Sequence, residues 1–208
     1  MNPVELYDKL FIHYGSQNWW PGEGFEIAIG AILTQNTSWK NVEKAIENLR
    51  KTDLLDPHKI VKSNLVFLKE QINPAGFYNL KAKYLKNLSE LWIKNPNPSR
   101  NELLEIKGIS DETADSILLY LLQKPEFIID AYTIRISNRI GMGLSTNKHY
   151  WKIFYQENLP KEVKLYNEFH ALLVKHAKSL CLKRTPLCLS CFLHTKCAYA
   201  KEKEGILT

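Results

Sequence analysis

No cysteine occurs before position 181, and the whole chain of 208 residues holds only four. Long apolar runs are missing as well. The longest, Ile117 to Leu122, is far too short to cross a bilayer, so a soluble protein with no membrane partner is expected. Low-complexity tracts and internal repeats are absent, and the apolar content is ordinary for a globular protein, which argues against disorder. No alternating apolar and polar run makes a convincing strand. Finally, no Asp or Glu lies between Phe169 and Lys201, a stretch that carries Lys175, Lys178, Lys183, Arg184, Lys196 and Lys201. These six cations equal the net charge of +6, so the remainder of the chain sums to zero. A local basic patch of this kind is the footprint of a polyanionic partner.

The four cysteines fall inside that basic stretch, as Cys181, Cys188, Cys191 and Cys197, spaced Cys-x6-Cys-x2-Cys-x5-Cys. Two local disulfides are one reading. No leading apolar signal segment is present, so the expected location is a reducing cytoplasm, where disulfides are rare. Four thiolates in one short segment then point to a metal or an iron–sulfur cluster. Tetrahedral zinc is the competing occupant, but a zinc ribbon usually shows two close Cys-x2-Cys pairs and this loop has one.

Elsewhere the apolar spacing is helical. It predicts helices over Val4–Tyr14, Phe25–Leu33, Val42–Leu49, Ile60–Leu68, Ala82–Ile93, Ser110–Leu122, Thr133–Ile140 and Tyr166–Leu180, separated by Pro, Gly and Asn breakers. The expected fold class is all-α. Within it, the segment from Leu103 to Ala114 reads as two helices joined at a glycine. A helix is expected to end at Lys107, Gly108 to turn left-handed, and Ser110 to cap the next helix. Ile106 and Ile109 would pack the pair together. Such a turn presents backbone N–H groups to a phosphate without reading sequence.

The cysteine spacing resembles the [4Fe-4S] loop of the endonuclease III family of DNA repair glycosylases, and the hairpin resembles that superfamily's helix-hairpin-helix. Trp19-Trp20-Pro21, Leu33-Thr34-Gln35-Asn36-Thr37, Gly76 to Ala82 and Ile129 to Thr133 match its motifs in order, so the resemblance covers almost the whole chain. It implies two helical lobes with the active site in a cleft between them. One lobe, about 20–125, would be a six-helix barrel with the helix-hairpin-helix near 100–122. The other would join 1–19 to 126–208 and carry a [4Fe-4S] loop at 181–197. The hairpin residues Lys107, Gly108, Ile109 and Ser110, together with Lys183 and Arg184, would then contact phosphates. The partner would be double-stranded DNA containing damaged bases, met by a monomer in the cytoplasm at the nucleoid.

The resemblance also assigns chemistry. A glycosylase takes its target base out of the stack before cutting the glycosidic bond. Asp130 matches the family's catalytic carboxylate, which faces the positive charge that builds on the sugar; it also sits where an N-cap is expected. Bifunctional members carry a lysine immediately before Thr-Ala, whose amine forms a Schiff base. Here that position is Glu112, which implies a monofunctional enzyme with little or no lyase activity. Glu112, Trp-Trp-Pro and Thr-Gln-Asn-Thr resemble the branch that excises alkylated purines such as 3-methyladenine. The expected base pocket is Trp19, Trp20, Pro21, Trp39 and Glu112, where a cationic ring can stack on electron-rich indoles at a gain of roughly 0.5–2 kcal/mol. Gln35 would fill the hole left by the flipped base, and Phe77 or Tyr78 would wedge into the opposite strand. Removal of oxidised pyrimidines or mismatched bases is the rival reading within the family. A non-catalytic DNA-binding or redox-sensing module is the rival outside it.

Overall fold

Helices make up all the regular structure among the described residues of the computed structural model, which are 1–19 and 22–203. In chain order they are α1 (Pro3–Tyr14), α2 (Phe25–Leu33), α3 (Trp39–Lys51), α4 (Pro57–Lys62), α5 (Leu65–Ile72) and α6 (Tyr78–Lys94). There follow α7 (Arg100–Leu104), α8 (Asp111–Ser116), α9 (Ala131–Ile140), α10 (Lys148–Asn158), α11 (Val163–Ser179) and α12 (Ala198–Lys203). None is long and apolar enough to cross a membrane. The chain divides into two compact units: Trp20–Lys124 in one, Met1–Trp19 with Pro125–Thr208 in the other.

The Trp20–Lys124 unit is organised around α2, which is buried from Ile27 through Leu33. Apolar residues on nearly every position make it a core helix rather than a surface one. Around it, α3 contributes a stripe of Val42, Ala45, Ile46 and Leu49, the i, i+3, i+4, i+7 spacing of a helix with one buried face. The single helix expected over Ile60–Leu68 is two. Ser63 and Asn64 are extended, and the Asn64 side chain accepts from the Val66 N–H at 2.7 Å to cap α5. A capping asparagine competes with helix continuation, and the apolar periodicity runs through the break unaltered.

The hairpin differs from expectation in one respect. Its first helix ends at Leu104, not Lys107, and residues 105–110 form the turn. The second starts at Asp111 with Ser110 as cap, accepting from Thr113 N–H at 3.3 Å, and widens into a π turn at Ile117–Leu121. Gly108 has φ +97°, and a Cβ there would stand 2.4 Å from the Tyr84 ring, so only glycine fits. Arg100, in the first turn of α7, donates to Asp115 of α8 at 2.8 Å and also pairs with Asp111. The Asp115 side chain is only 3% exposed. Removing the arginine would break a hydrogen-bonded ion pair to a buried carboxylate and destabilise the hairpin. That clamp fixes the angle of the hairpin.

In the other unit, α11 is the buried spine, packed by α1 and α9. Helix α10 lies outside the helices expected from apolar spacing, although Trp151, Phe154 and Tyr155 stand at i, i+3 and i+4. It docks through Trp151 and Tyr155, one turn apart and fully buried. The Tyr155 ring stacks on Phe127 at 4.4 Å between centroids, and its hydroxyl meets Ser137 Oγ at 2.7 Å. Burying such rings contributes about 1.5–3 kcal/mol each. The stack anchors the extended segment Phe127–Ile129, which delivers Asp130 to the start of α9.

Candidate active site and nucleic-acid interface

Asp130 is the N-cap of α9. Its Oδ1 accepts from the Thr133 N–H at 2.7 Å and the Thr133 hydroxyl at 2.9 Å. Its Oδ2 lies 3.6 Å from His170 Nε2 on α11, an ion-pair distance rather than a hydrogen bond. Burial, the largest influence, pushes the carboxyl pKa upward, but His170 and Thr133 together outweigh it. The net pKa is below the ordinary aspartate value, so Asp130 is ionised at neutral pH. About a tenth of the side chain is exposed. One oxygen is committed to the cap and the other faces His170. His170 carried no signal in the sequence, because it lies forty residues along the chain on a different helix.

The cysteines form a second centre in the same unit. All four line one cavity together with apolar side chains including Ile136, Ile140, Leu180 and Leu193 and with Arg139, His176 and His194. Among the described residues no three His, Cys, Asp or Glu side chains converge on a single-ion site. Four free thiols around one cavity suit a cluster that takes one sulfur at each of its irons. Arg139 Nη1 is 3.3 Å from Cys181 Sγ and donates to the Leu182 carbonyl at 2.7 Å, while Nη2 donates to the Lys183 carbonyl at 3.0 Å. Arg135 donates to the carbonyls of Cys181 and Ala177. Both arginines belong to α9, so the helix that begins at Asp130 holds the cysteine loop with its other end. Burial pushes the Cys191 and Cys197 thiols above the usual range, and a bound cation reverses that tendency. His176, buried against this loop, is pushed down to about 4 and is neutral.

Lys183 and Arg184 are exposed on the loop, with Lys183 held through its carbonyl. Lys196, counted in the same basic patch, is paired with Glu5. Its charge is offset locally, so the patch is smaller than the sequence implies.

In the Trp20–Lys124 unit, Lys107 and Ser110 are exposed on the hairpin, Gly108 is half-buried and Ile109 packs into the core. Gln35 docks on this turn: its Nε2 donates to the Gly108 carbonyl at 2.9 Å and to Thr113 Oγ1 at 3.0 Å. No local pattern marks that contact, because Gln35 and Gly108 lie far apart in the chain. Phe77 and Tyr78 sit at the start of α6 and are both exposed, Phe77 at 63%. Glu112 is half-buried in the first turn of α8. Trp19 is half-buried, whereas Trp20 and Pro21 lie outside the described residues. Trp39 opens α3, packs against the core and donates its indole N–H to Glu43 at 2.8 Å. It also lines a groove with Glu23, Glu26, Glu43, Glu47 and Arg50.

The sequence profile of HhH-GPD superfamily base excision DNA repair proteins matches residues 29–159, more than half of the chain. The chain belongs to that superfamily. A Methanocaldococcus jannaschii protein provisionally named a DNA repair glycosylase is 46% identical over 209 aligned residues, covering 93% of this chain and 94% of its own. Among solved structures, the H. pylori 3-methyladenine DNA glycosylase MagIII bound to 1,N6-ethenoadenine is similar at 28% identity and a TM-score of 0.80, covering 88% of this chain and 100% of that one. A non-covalent endonuclease III–DNA complex shares the fold at a TM-score of 0.87 and 20% identity, covering 99% of both chains. This HhH-GPD protein is a base excision repair DNA glycosylase with the all-α endonuclease III-like fold.

Proposed function

We propose that this glycosylase removes alkylated purines such as 3-methyladenine from duplex DNA without cutting the strand. The observation that carries the reading is the groove lined by Trp39 with Glu23, Glu26, Glu43, Glu47 and Arg50, which stays net negative although Arg50 pairs with Glu26 and Glu47. An alkylated purine is cationic, and such a groove favours it twice, by cation–π stacking and by charge. Its glycosidic bond is already weakened, so little acid assistance is required. Glu112 stands where bifunctional relatives carry the nucleophilic lysine, and a carboxylate forms no imine. Of the other amines considered, Lys107 is exposed on the hairpin and Lys124 donates to the Pro98 carbonyl at 3.2 Å. The MagIII likeness points the same way.

Asp130 then stabilises the positive sugar as the bond breaks, and His170 holds the carboxylate ionised and oriented. Gln35, Phe77 and Tyr78 enter the duplex, while the hairpin from Lys107 to Ser110 and the Lys183-Arg184 loop grip phosphates. Cys181, Cys188, Cys191 and Cys197 would hold a [4Fe-4S] cluster, whose role is to fold the loop that presents Lys183 and Arg184.

The deciding assay is base release from methylated duplex DNA, with nicks scored before and after alkali. Free methylpurine with nicks only after alkali is the expected result. Nicks without alkali would overturn the monofunctional assignment, and no release would overturn the substrate. His170→Ala is expected to raise the Asp130 pKa by removing an influence that lowers it. The acid limb of the pH–rate profile should therefore move to higher pH, with kcat lower by roughly 10-fold. An unmoved limb would remove His170 from the mechanism.

A further inference from the structure

Lys81 is a buried lysine, 2% exposed, on the inner face of α6. Its ammonium donates to the Leu33 carbonyl at 2.8 Å and to the Ala75 carbonyl at 2.9 Å. Leu33 is the last residue before Thr34-Gln35-Asn36, and Ala75 the last before Gly76-Phe77. Its backbone N–H donates to the Phe77 carbonyl at 3.0 Å, so Lys81 holds the second loop on both sides of Gly76.

Each of these loops contains a non-glycine residue in the left-handed region, Asn36 at φ +53° and Phe77 at φ +47°. Such conformations persist only where the surroundings over-determine them. Burial pushes the Lys81 pKa down to about 8, and no carboxylate acts to raise it. An apolar side chain would fill the same space at no desolvation cost. What only the lysine supplies is the bridge between two carbonyls.

We propose that Lys81 is a positioning residue that couples the Gln35 and Phe77 loops, so that filling the hole and wedging the opposite strand occur as one event. The proposal rests on the loop roles assigned above. Neither strand's insertion is then separable from the other, and rigid spacing between the loops selects duplexes whose lesion site opens to that spacing.

The test uses the full protein and a duplex carrying a tetrahydrofuran abasic analogue with 2-aminopurine opposite, which needs no knowledge of the lesion. Wild type is expected to unstack the 2-aminopurine, with Gln35→Ala and Phe77→Ala each reducing the fluorescence change. Lys81→Met is expected to lose as much signal as the double variant of those two. It should bind the analogue roughly 10- to 100-fold more weakly, with affinity for undamaged duplex unchanged. Adding Phe77→Ala to Lys81→Met should then change nothing further. A folded Lys81→Met variant with full signal, or with losses that simply add to those of Phe77→Ala, overturns the coupling. If Gln35→Ala and Phe77→Ala themselves match wild type, the loop roles fail and the coupling fails with them. Should Lys81→Met not fold, Lys81→Gln, which keeps N–H donors but is too short to span both carbonyls, is judged by the same criteria.

Discussion

Asp130→Asn should abolish base release while leaving the fold and DNA binding in place. Asparagine is as good an N-cap as aspartate and nearly the same shape, so the Thr133 contacts at 2.7 and 2.9 Å are kept. What disappears is the negative charge. A carboxylate about 4 Å from a developing positive sugar, at an effective dielectric near 20, is worth about 4 kcal/mol, or roughly 10³-fold in rate. Single-turnover release from lesion-bearing duplex, beside a gel-shift titration, reads both quantities. A binding module without chemistry would show no difference between wild type and variant. The same carboxylate predicts the pH response. Its folded-state pKa is lowered, so its contribution to stability is present above the ordinary aspartate pKa and is lost as the pH falls through the lowered value. Base release should follow that acid limb, since protonated Asp130 offers the sugar no charge.

Cys191→Ser should yield colourless protein with a poorly folded second unit. Its thiol lines the same cavity as the other three, and loss of one ligand opens a corner of any cluster bound there. Where a metal group organises a short loop, its binding free energy is folding free energy, so a lost ligand lowers the loop's stability. The two short 3-10 turns at Cys188–Ser190 and His194–Lys196 bury no residue of their own. Damage should reach the active site, because Arg135 and Arg139 tie the loop to the helix that starts at Asp130. Visible absorbance, thermal melting and base release should therefore fall together. A folded, active, colourless variant would overturn the structural role of the cluster.

Much of the site was legible because it is local in sequence. The cysteine spacing, the turn at Gly108, the caps at Ser110 and Asp130 and the Glu112 substitution each depend on residues a few positions apart. Steric limits and capping hydrogen bonds act over that range. The same logic located most helices by their apolar period. It failed at Ser63-Asn64, where a cap interrupts a continuous period, and it did not mark α10, which docks through Trp151 and Tyr155.

Composition and spacing alone thus determined an all-α chain with four cysteines in one loop, a hairpin turning at Gly108 and a carboxylate at a helix start. Tertiary structure decided what surrounds them. His170 beside Asp130, Gln35 docked on the Gly108 carbonyl, Arg139 on the cysteine loop, Glu5 against Lys196 and Lys81 beneath two loops all join residues distant in the chain. Where such a group is buried, as at Asp130 and Lys81, burial obliges it to find a partner. Which partner it finds depends on how the helices pack, and no local pattern in the sequence records that.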